Sequence, residues 1–284
     1  MSTGRIFYID TIKDRVAGDE KSPVTTTSNG TFNIAIPPNS GFDKVCLLSA
    51  VIPKSYYLVQ QGYNRFDILE GNEQIRFDVP PGNYTYSTFR TWLEGALNAN
   101  TRLGLSYTVT VPNTVTGEAS TAKYTITATG AGSNIIALAC PTSSKVHEQL
   151  GFNQDFCTFQ DMGGGNRKLV SVNAVKFQAE DMLYLHSSLV VGGDDILQEI
   201  VVAGNDFSNI RYQNMGSIRE YSKPLATSNT NTMTLTLNDE SGRIIELNGL
   251  NMTIAIYLYK DTVEATSKMQ SDYIKYSILA SRRS

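Results

Sequence analysis

Apolar and polar residues alternate along much of the chain, and this period of two predicts strands on both sides of one helical segment. The first strand candidates are Arg5–Asp10, Thr31–Ile36 and Lys44–Ile52. The last of these is almost continuously apolar, which is typical of a strand covered on both faces. The polar run Asp14–Gly30 lies between the first and second of these strands and ends in Asn-Gly, so it predicts an exposed arm or linker.

One segment, Asp78–Asn100 (DVPPGNYTYSTFRTWLEGALNAN), departs from this pattern and follows a helical period. Five apolar residues recur at the spacing that places them on one stripe of a helix: Phe89, Trp92, Leu93, Ala96 and Leu97. The polar residues expected to point away from this stripe are Arg90, Glu94 and Asn98. Thr85 or Ser87 can cap the helix start, and the region Asn98–Asn100 can end it.

Strand-like runs flank the predicted helix on both sides. Before it, Arg65–Leu69 and Gln74–Val79 surround Glu70-Gly71-Asn72, which predicts a hairpin. The strand candidates after it are Leu105–Val111, Lys123–Thr129 and Asn134–Cys140, the first two joined by the polar loop Pro112–Ala122. We expect the helix to bury its stripe across a small sheet made by these hairpins. Residues 55–166 are therefore predicted to form an inserted α+β subdomain.

A dense series of short strands follows the glycine run Gly163–Asn166, which we interpret as a flexible loop. The candidates are Val172–Gln178, Met182–Val191, Ile196–Gly204, Asn209–Asn214, Thr232–Asp239, Arg243–Asn248 and Met252–Lys260. Short strands separated by turn residues are typical of a β-sandwich or jelly roll. The predicted fold class is all-β with an α+β insertion: a single jelly-roll β-sandwich of residues 31–54 and 167–260. Residues 1–30 are assigned to an N-terminal strand and arm, and residues 261–284 to a C-terminal tail.

Composition limits the kinds of partner that the chain can have. Its 284 residues are 41% hydrophobic and only 18% charged, with a formal net charge of -3. Such a chain can fill a core but produces no basic field, so no specific nucleic-acid site is predicted, and Arg282-Arg283 adds little. The start MSTGRIFYIDTIKDR lacks a secretory pattern and no run is long enough for a membrane span. We therefore expect a reducing, aqueous compartment.

The three cysteines, Cys46, Cys140 and Cys157, are odd in number and show no short spacing. They predict neither a disulfide framework nor a zinc site, and we interpret them as reduced core residues. Asn-x-Thr triplets begin at Asn29, Asn83 and Asn251. Since no secretory signal precedes them, we interpret these triplets as chance matches.

Histidine is the most common general base near neutral pH, and the sequence contains only His147 and His186. A triad of His186, Ser187 or Ser188 and a carboxylate stays open as an alternative. However, adjacent strand residues point to opposite faces, and the G-x-S-x-G elbow that exposes a nucleophilic serine is absent from the sequence. We interpret His186 as a structural strand residue and place His147 on a short helix.

Two further groups of residues could carry chemistry. Asp194 and Asp195 could bind a cation, but they follow Gly192-Gly193 directly and are interpreted as a solvated turn. The runs Gly130–Asn134 and Gly163–Asn166 lack the lysine and the strand-to-helix context of a phosphate-binding loop. No catalytic, cofactor-binding or metal site is therefore predicted, and we do not expect an enzyme.

Tyrosines are frequent, and they could form a flat platform on which sugars stack. The candidates are Tyr56, Tyr57, Tyr84, Tyr86, Tyr184, Tyr212, Tyr257 and Tyr259. Most are better explained as strand residues or as contacts between subunits, where the amphipathic ring is favoured.

Several segments occur in an order that resembles the minor capsid, or penton, proteins of virophages and polinton-like double-stranded DNA viruses. These segments are Ile52–Ile68, Val79–Asn98, Lys123–Thr127, Glu148–Phe152, Leu183–Leu189 and Thr236–Lys260. The resemblance extends over roughly Phe32–Lys260, and the order of the segments is its most specific feature.

The resemblance implies a single jelly roll that forms a homopentamer at the five-fold vertices of an icosahedral capsid. It implies contact with trimers of a double jelly-roll major capsid protein, and it admits other minor capsid or cement proteins as partners. The expected location is the virion, after synthesis in the host cytoplasm or nucleus, with the arms Ser2–Gly30 and Asp261–Ser284 reaching across subunits. It supplies no catalytic motif. The alternative is a receptor- or glycan-binding spike or fibre module on the same sandwich.

Overall fold

The computed structural model describes residues 4–11, 24–28, 30–36, 41–111, 121–153, 155–178, 180–191, 195–204, 208–226 and 232–261. Its elements, in chain order, are β1 (Gly4–Asp10), β2 (Val24–Ser28), β3 (Thr31–Ala35), β4 (Lys44–Pro53), β5 (Arg65–Glu70), β6 (Glu73–Asp78), α1 (Tyr86–Asn100), β7 (Ser106–Thr110), β8 (Thr125–Thr129), β9 (Ile136–Ala139), α2 (His147–Leu150), β10 (Cys157–Thr158), β11 (Gln160–Gly163), β12 (Asn166–Val170), β13 (Met182–Ser187), β14 (Ile196–Val201), β15 (Asn209–Gln213), β16 (Lys223–Pro224), β17 (Thr232–Asp239) and β18 (Thr253–Tyr259). The chain divides into two compact units, Met1–Tyr56 with Glu180–Ser284, and Tyr57–Ala179.

The first unit contains two antiparallel sheets. Sheet 1 has the order β1-β18-β4-β15, with β16 also paired to β4, and sheet 2 has the order β14-β13-β17-β3-β2. The chain passes repeatedly between them: β1 lies in sheet 1, β3 in sheet 2, β4 in sheet 1, β13 and β14 in sheet 2, β15 in sheet 1, β17 in sheet 2 and β18 in sheet 1. This confirms an all-β architecture of antiparallel sheets.

Alternating side chains from both sheets meet in one core. In β17, the apolar residues of TMTLTL, namely Met233, Leu235 and Leu237, are fully buried. They join buried residues of every long strand in the unit, among them Phe7, Ile9, Phe32, Ile34, Leu47, Ile52, Leu183, Leu185, Ile200, Ile210, Ile254, Ile256 and Leu258. The period of two therefore builds a two-layer sandwich, because each strand turns one face toward the opposite sheet.

The second unit combines two four-stranded antiparallel sheets with helix α1. Sheet 3 has the order β10-β9-β5-β6, and sheet 4 has the order β11-β12-β8-β7. The predicted helical stripe is confirmed, since Phe89, Leu93 and Leu97 are buried and Trp92 and Ala96 pack beside them. Thr85 is the N-cap, and its hydroxyl accepts a hydrogen bond from the backbone N–H of Thr88.

The polar face of α1 differs from its prediction. Arg90, Glu94 and Asn98 do not simply face solvent, because all three bond to the backbone of β7. Asn98 both donates to the carbonyl of Tyr107 and accepts from its N–H, each at 2.8 Å, and Glu94 accepts from the N–H of Val109 at 2.8 Å. Because β7 is an edge strand of sheet 4, the helix supplies partners for backbone groups that no strand pairs.

Two predicted strands are wrong. Val172–Gln178 is irregular, because its N–H groups bond to scattered partners: that of Asn173 to Gly151, that of Val175 to Ala122 and that of Lys176 to Glu148. Arg243–Asn248 is also irregular, with one isolated bridge between Ile244 and Asn238. A β-ladder forms only where the backbone groups of a segment bond in sequence to one neighbouring strand, and these two segments lack that regular pairing.

Strands β2, β10, β11, β12 and β16 were not predicted. Strand β2 falls inside the run Asp14–Gly30 that was interpreted as an arm, and it pairs with β3. The glycine run Gly163–Asn166 is the tight turn of the β11–β12 hairpin, where Gly164 and Gly165 both have positive φ. Such φ values suit a two-residue hairpin turn.

The inserted unit ends later than the sequence predicts. Strand β12 pairs with β8 from Asn166↔Thr129 to Val170↔Thr125, so it belongs to the second unit and not to the sandwich. The limits are therefore 57–179 in place of 55–166. Most of the predicted N-terminal arm and nearly all of the C-terminal tail, residues 262–284, lie outside the described residues.

Candidate functional site

His186 and Asp195 form the clearest pair of titratable side chains from the catalytic candidates. His186 lies on the outward face of β13, and its Nδ1 is 2.6 Å from Oδ1 of Asp195 at the start of β14. Asp195 has a φ of 46°, and its carbonyl accepts from the N–H of Ser187 at 2.8 Å. The pair therefore ties the two ends of the β13–β14 connection. Asp194 lies outside the described residues.

Neither candidate serine joins this pair in the described part of the chain. Ser187 is buried on the opposite face of β13, as the alternation predicts, and its hydroxyl accepts from the N–H of Leu189. The hydroxyl of Ser188 accepts from the N–H of Thr234 at 3.0 Å. Serine catalysis needs the hydroxyl and the imidazole within hydrogen-bond reach. Among the described residues, the geometry thus gives His186 a contact with the carboxylate of Asp195 and none with either serine hydroxyl.

His147, Cys140 and Cys157 lie in the second unit, and Cys46 lies on β4 of the first unit. Nδ1 of His147 is 3.2 Å from the carbonyl of Ser144 at the start of α2. Cys46 accepts from Nδ2 of Asn214, and burial raises its pKa. Burial also raises the pKa of Cys140, to about 12, with smaller contributions from Cys157 and Asp67. Thiols with raised pKa values are poor nucleophiles at neutral pH.

No cluster of three His, Cys, Asp or Glu side chains suited to a metal ion occurs in the described ranges. The helices in those ranges also include none long and apolar enough to cross a membrane.

Glu70 is a heavily bonded buried carboxylate that the sequence did not single out. It accepts from the N–H groups of Arg102 and Leu103, each at 2.8 Å, and from the hydroxyls of Thr101 and Tyr107. Burial, followed by the Glu70 contact, raises the pKa of Tyr107. These four donors belong to the segment that follows α1, and their bonds hold that segment in place. Glu70 therefore has a structural role. Sequence reasoning placed Glu70 in a hairpin turn, and only the approach of residues 101–107 reveals its partners.

The tyrosine candidates do not form one platform within the first unit. Tyr257 and Tyr259 stack with ring centres 5.0 Å apart, but Tyr259 is buried and its hydroxyl donates to Ser222. Tyr184 lies on the other sheet, and Tyr56 is buried.

The outward face of sheet 1 carries a shallow depression of about 240 Å³. Residues of β1, β4 and β18 line it, including Tyr8, Asp10, Ser49, Val51, Thr253 and Ala255. Tyr8 is 70% exposed on the edge strand β1, where Ile6 is exposed beside it. Segment 214–222 connects β15 to β16 at the opposite edge of sheet 1, and it exposes Met215, Ile218 and Tyr221. Sheet 1 thus exposes two different apolar surfaces.

The likeness of this chain to known proteins is found among solved structures. No protein-family model and no curated protein matches the chain. Among solved structures, the chain is similar to the crystal structure of the mavirus penton protein. The TM-score is 0.40 and the sequence identity 11%, over 89% of this chain and 99% of the mavirus chain.

The two surfaces of sheet 1 are candidates for interaction in the first unit. Exposed apolar side chains grouped on one surface are typical of contacts with another molecule. The surface around Tyr8 is built on paired strands, so its side chains are held in a fixed arrangement, whereas the surface around Met215 lies on the segment that connects β15 to β16.

Proposed function

We propose that this protein is a structural minor capsid protein that forms pentameric capsomers at the five-fold vertices of an icosahedral double-stranded DNA virus. Its fold would be a single jelly roll carrying the inserted unit. The order β1-β18-β4-β15 facing β14-β13-β17-β3 carries the proposal, because jelly rolls wrap eight strands between two sheets in this way. The ordered segments that resemble penton proteins, from Ile52 to Lys260, support it independently.

Two unlike apolar surfaces on one sheet support assembly into a ring. A cyclic ring uses a heterologous interface, in which one patch of each copy meets a different patch of the next. In this proposal, the surface formed by Tyr8 and the depression beside it binds the Met215 segment of a second copy. Trimers of a major capsid protein are the further partners, and the virion is the location.

The mass of the purified protein tests the proposal. Light scattering after size exclusion should give five copies of the 31.2 kDa chain, or about 156 kDa (5 × 31.2). A monomer would contradict the assembly, and a trimer that binds glycans would favour a spike module. Tyr8→Asp and Met215→Asp should each abolish the ring, because every copy needs both patches. Mixing the two variants should give a dimer, since one intact pair of patches remains.

We also propose that the chain has no catalytic role. The support is that His186 is engaged by Asp195 at 2.6 Å and that Ser187 and Ser188 bond elsewhere. His186→Ala should leave assembly and any hydrolytic activity of the preparation unchanged. Loss of a hydrolytic activity with assembly intact would overturn this view.

A further inference from the structure

Strands β9 and β10 bring two of the three cysteines to the same side of sheet 3. Cys157 is paired with Leu138, and Cys140 lies two residues beyond Leu138 along the chain. Because residues two apart along a strand share a face, we expect Cys140, one residue beyond the end of β9, to face the same side as Leu138 and its partner Cys157. Cys140 is a buried member of the core of this unit, and Cys157 packs against that core from its partly exposed position.

A disulfide between the two residues needs a small shift of the backbone. Diagonal neighbours on antiparallel strands lie roughly 7–8 Å apart, whereas the Cα atoms of a disulfide usually lie about 4.4–6.8 Å apart. The backbone here can adjust easily, since β10 has two residues and Cys140 follows the end of β9. The raised pKa of Cys140, to which Cys157 contributes, is a second indication that the thiols are neighbours.

We propose that Cys140 and Cys157 form a reversible intramolecular disulfide when the protein meets a small disulfide oxidant such as oxidised glutathione. The bond would link β10 to the end of β9 and close the loop that contains α2. Cys46 would stay reduced, because it is buried and bonded to Asn214.

The reaction proceeds by two thiol–disulfide exchanges. The thiolate of Cys157, the more accessible sulfur, attacks oxidised glutathione, forms a mixed disulfide and releases one glutathione thiolate. The thiolate of Cys140 then attacks the sulfur of Cys157, forms the protein disulfide and releases the second glutathione thiolate. Two protein thiols lose two electrons and two protons, and one oxidised glutathione becomes two reduced molecules. Burial raises the pKa of both Cys157 and Cys140, so both exchange steps are slow at neutral pH and the rate should rise with pH.

This inference goes beyond the proposed function and does not depend on it. An oxidising environment would form the bond, whereas protein in a reducing compartment would keep both thiols. The thiol measurements below can be made whether the protein is a pentamer or not.

The test uses the full chain incubated with oxidised glutathione, denatured, alkylated and digested. The expected result is a peptide pair joined through Cys140 and Cys157, with only Cys46 alkylated, so that three titratable thiols fall to one. Cys46→Ser should form the same bond. Cys157→Ser should keep both remaining thiols, and Cys140→Ser should stop at a mixed disulfide on Cys157.

Heat denaturation gives a second readout. Oxidised wild-type protein should unfold several degrees above the reduced protein, because the bond restricts the unfolded chain, and Cys157→Ser should show no such shift. Three unmodified thiols, a glutathione adduct that persists on Cys157 in wild-type protein, or a dimer on non-reducing electrophoresis would each overturn the proposal.

Discussion

Arg243 is a buried cation of the sandwich unit that lies close to two carboxylates. Its side chain is 5% exposed, its Nε donates to Asp239 at 2.7 Å, and Glu180 lies 3.8 Å from its other end. Glu180 begins the return of the chain from the inserted unit. One buried guanidinium therefore lies between two buried carboxylates.

Arg243→Met should destabilise the protein by roughly 3–5 kcal/mol, because it leaves two buried carboxylates without their cation. Urea unfolding measures the change. Arg219→Met is the control, since Arg219 is 63% exposed and lies 3.6 Å from the buried Asp261, so its loss should cost less than that of the buried Arg243. Equal effects of the two substitutions would contradict the role given to Arg243.

Glu70→Gln should destabilise the inserted unit by about 1–3 kcal/mol. In the wild-type protein the donors around Glu70 bond to the two oxygens of one carboxylate. The amide of glutamine keeps one acceptor oxygen and places an NH₂ group, itself a donor, against the remaining donors. Glu73→Gln is the control, because Glu73 is the exposed cross-strand neighbour of Glu70. Thermal unfolding of both variants decides the point, and a neutral Glu70→Gln would show that the four donors find other partners.

Burial of Cys140 predicts a loss of stability at high pH. Its pKa is raised from 9.0 to about 12 in the folded protein, so the unfolded chain loses this proton first. Below pH 9 this group does not lower the free energy of unfolding. As pH rises from 9 toward 12, the free energy of unfolding falls by up to about 1.4 kcal/mol per pH unit. The melting temperature of Cys140→Ala under reducing conditions should therefore decline less steeply than that of wild type between pH 9 and 11. Parallel slopes would refute this.

At the scale of elements, helix α1 does more than bury an apolar stripe. Its stripe could be predicted because residues three and four apart share a helix face. The bonds from Arg90, Glu94 and Asn98 to β7 could not, because they depend on which strand lies at the edge of sheet 4. The same limit explains Val172–Gln178, whose apolar residues Val175 and Phe177 do pack on the core but without a strand partner.

Asn98→Ala should cost about 1–3 kcal/mol, because it leaves both backbone groups of Tyr107 without this partner at the edge of β7. Asn100→Ala is a closely matched control, since its amide bonds only to the exposed carbonyl of Ala96 among the described contacts. Hydrogen exchange provides the direct measurement: the amide of Tyr107 should lose protection in Asn98→Ala and retain it in Asn100→Ala. Unchanged protection in both would mean that water replaces the side chain freely.

At the scale of the whole molecule, each of the two units has its own buried cluster. Units with separate cores can unfold in separate steps. Calorimetry should therefore resolve two transitions. Leu93→Ala, which removes a fully buried side chain of the inserted unit, should destabilise that unit by roughly 2–5 kcal/mol and lower the midpoint temperature of one transition. Leu235→Ala should lower the other, and a single transition shifted by both variants would contradict independent units.

The sequence by itself determined the features that depend on neighbours along the chain. These include the long strands, the amphipathic helix with its Thr85 cap, and the interruption of a β domain by an α+β unit, since periodicity and capping act within a few residues. The tertiary structure alone decided where the inserted unit ends, because β12 could pair with β8 or with a sandwich strand. It also decided the partners of Glu70, Arg243 and Asn98. Those bonds join residues that only folding brings together, and no local pattern specifies them.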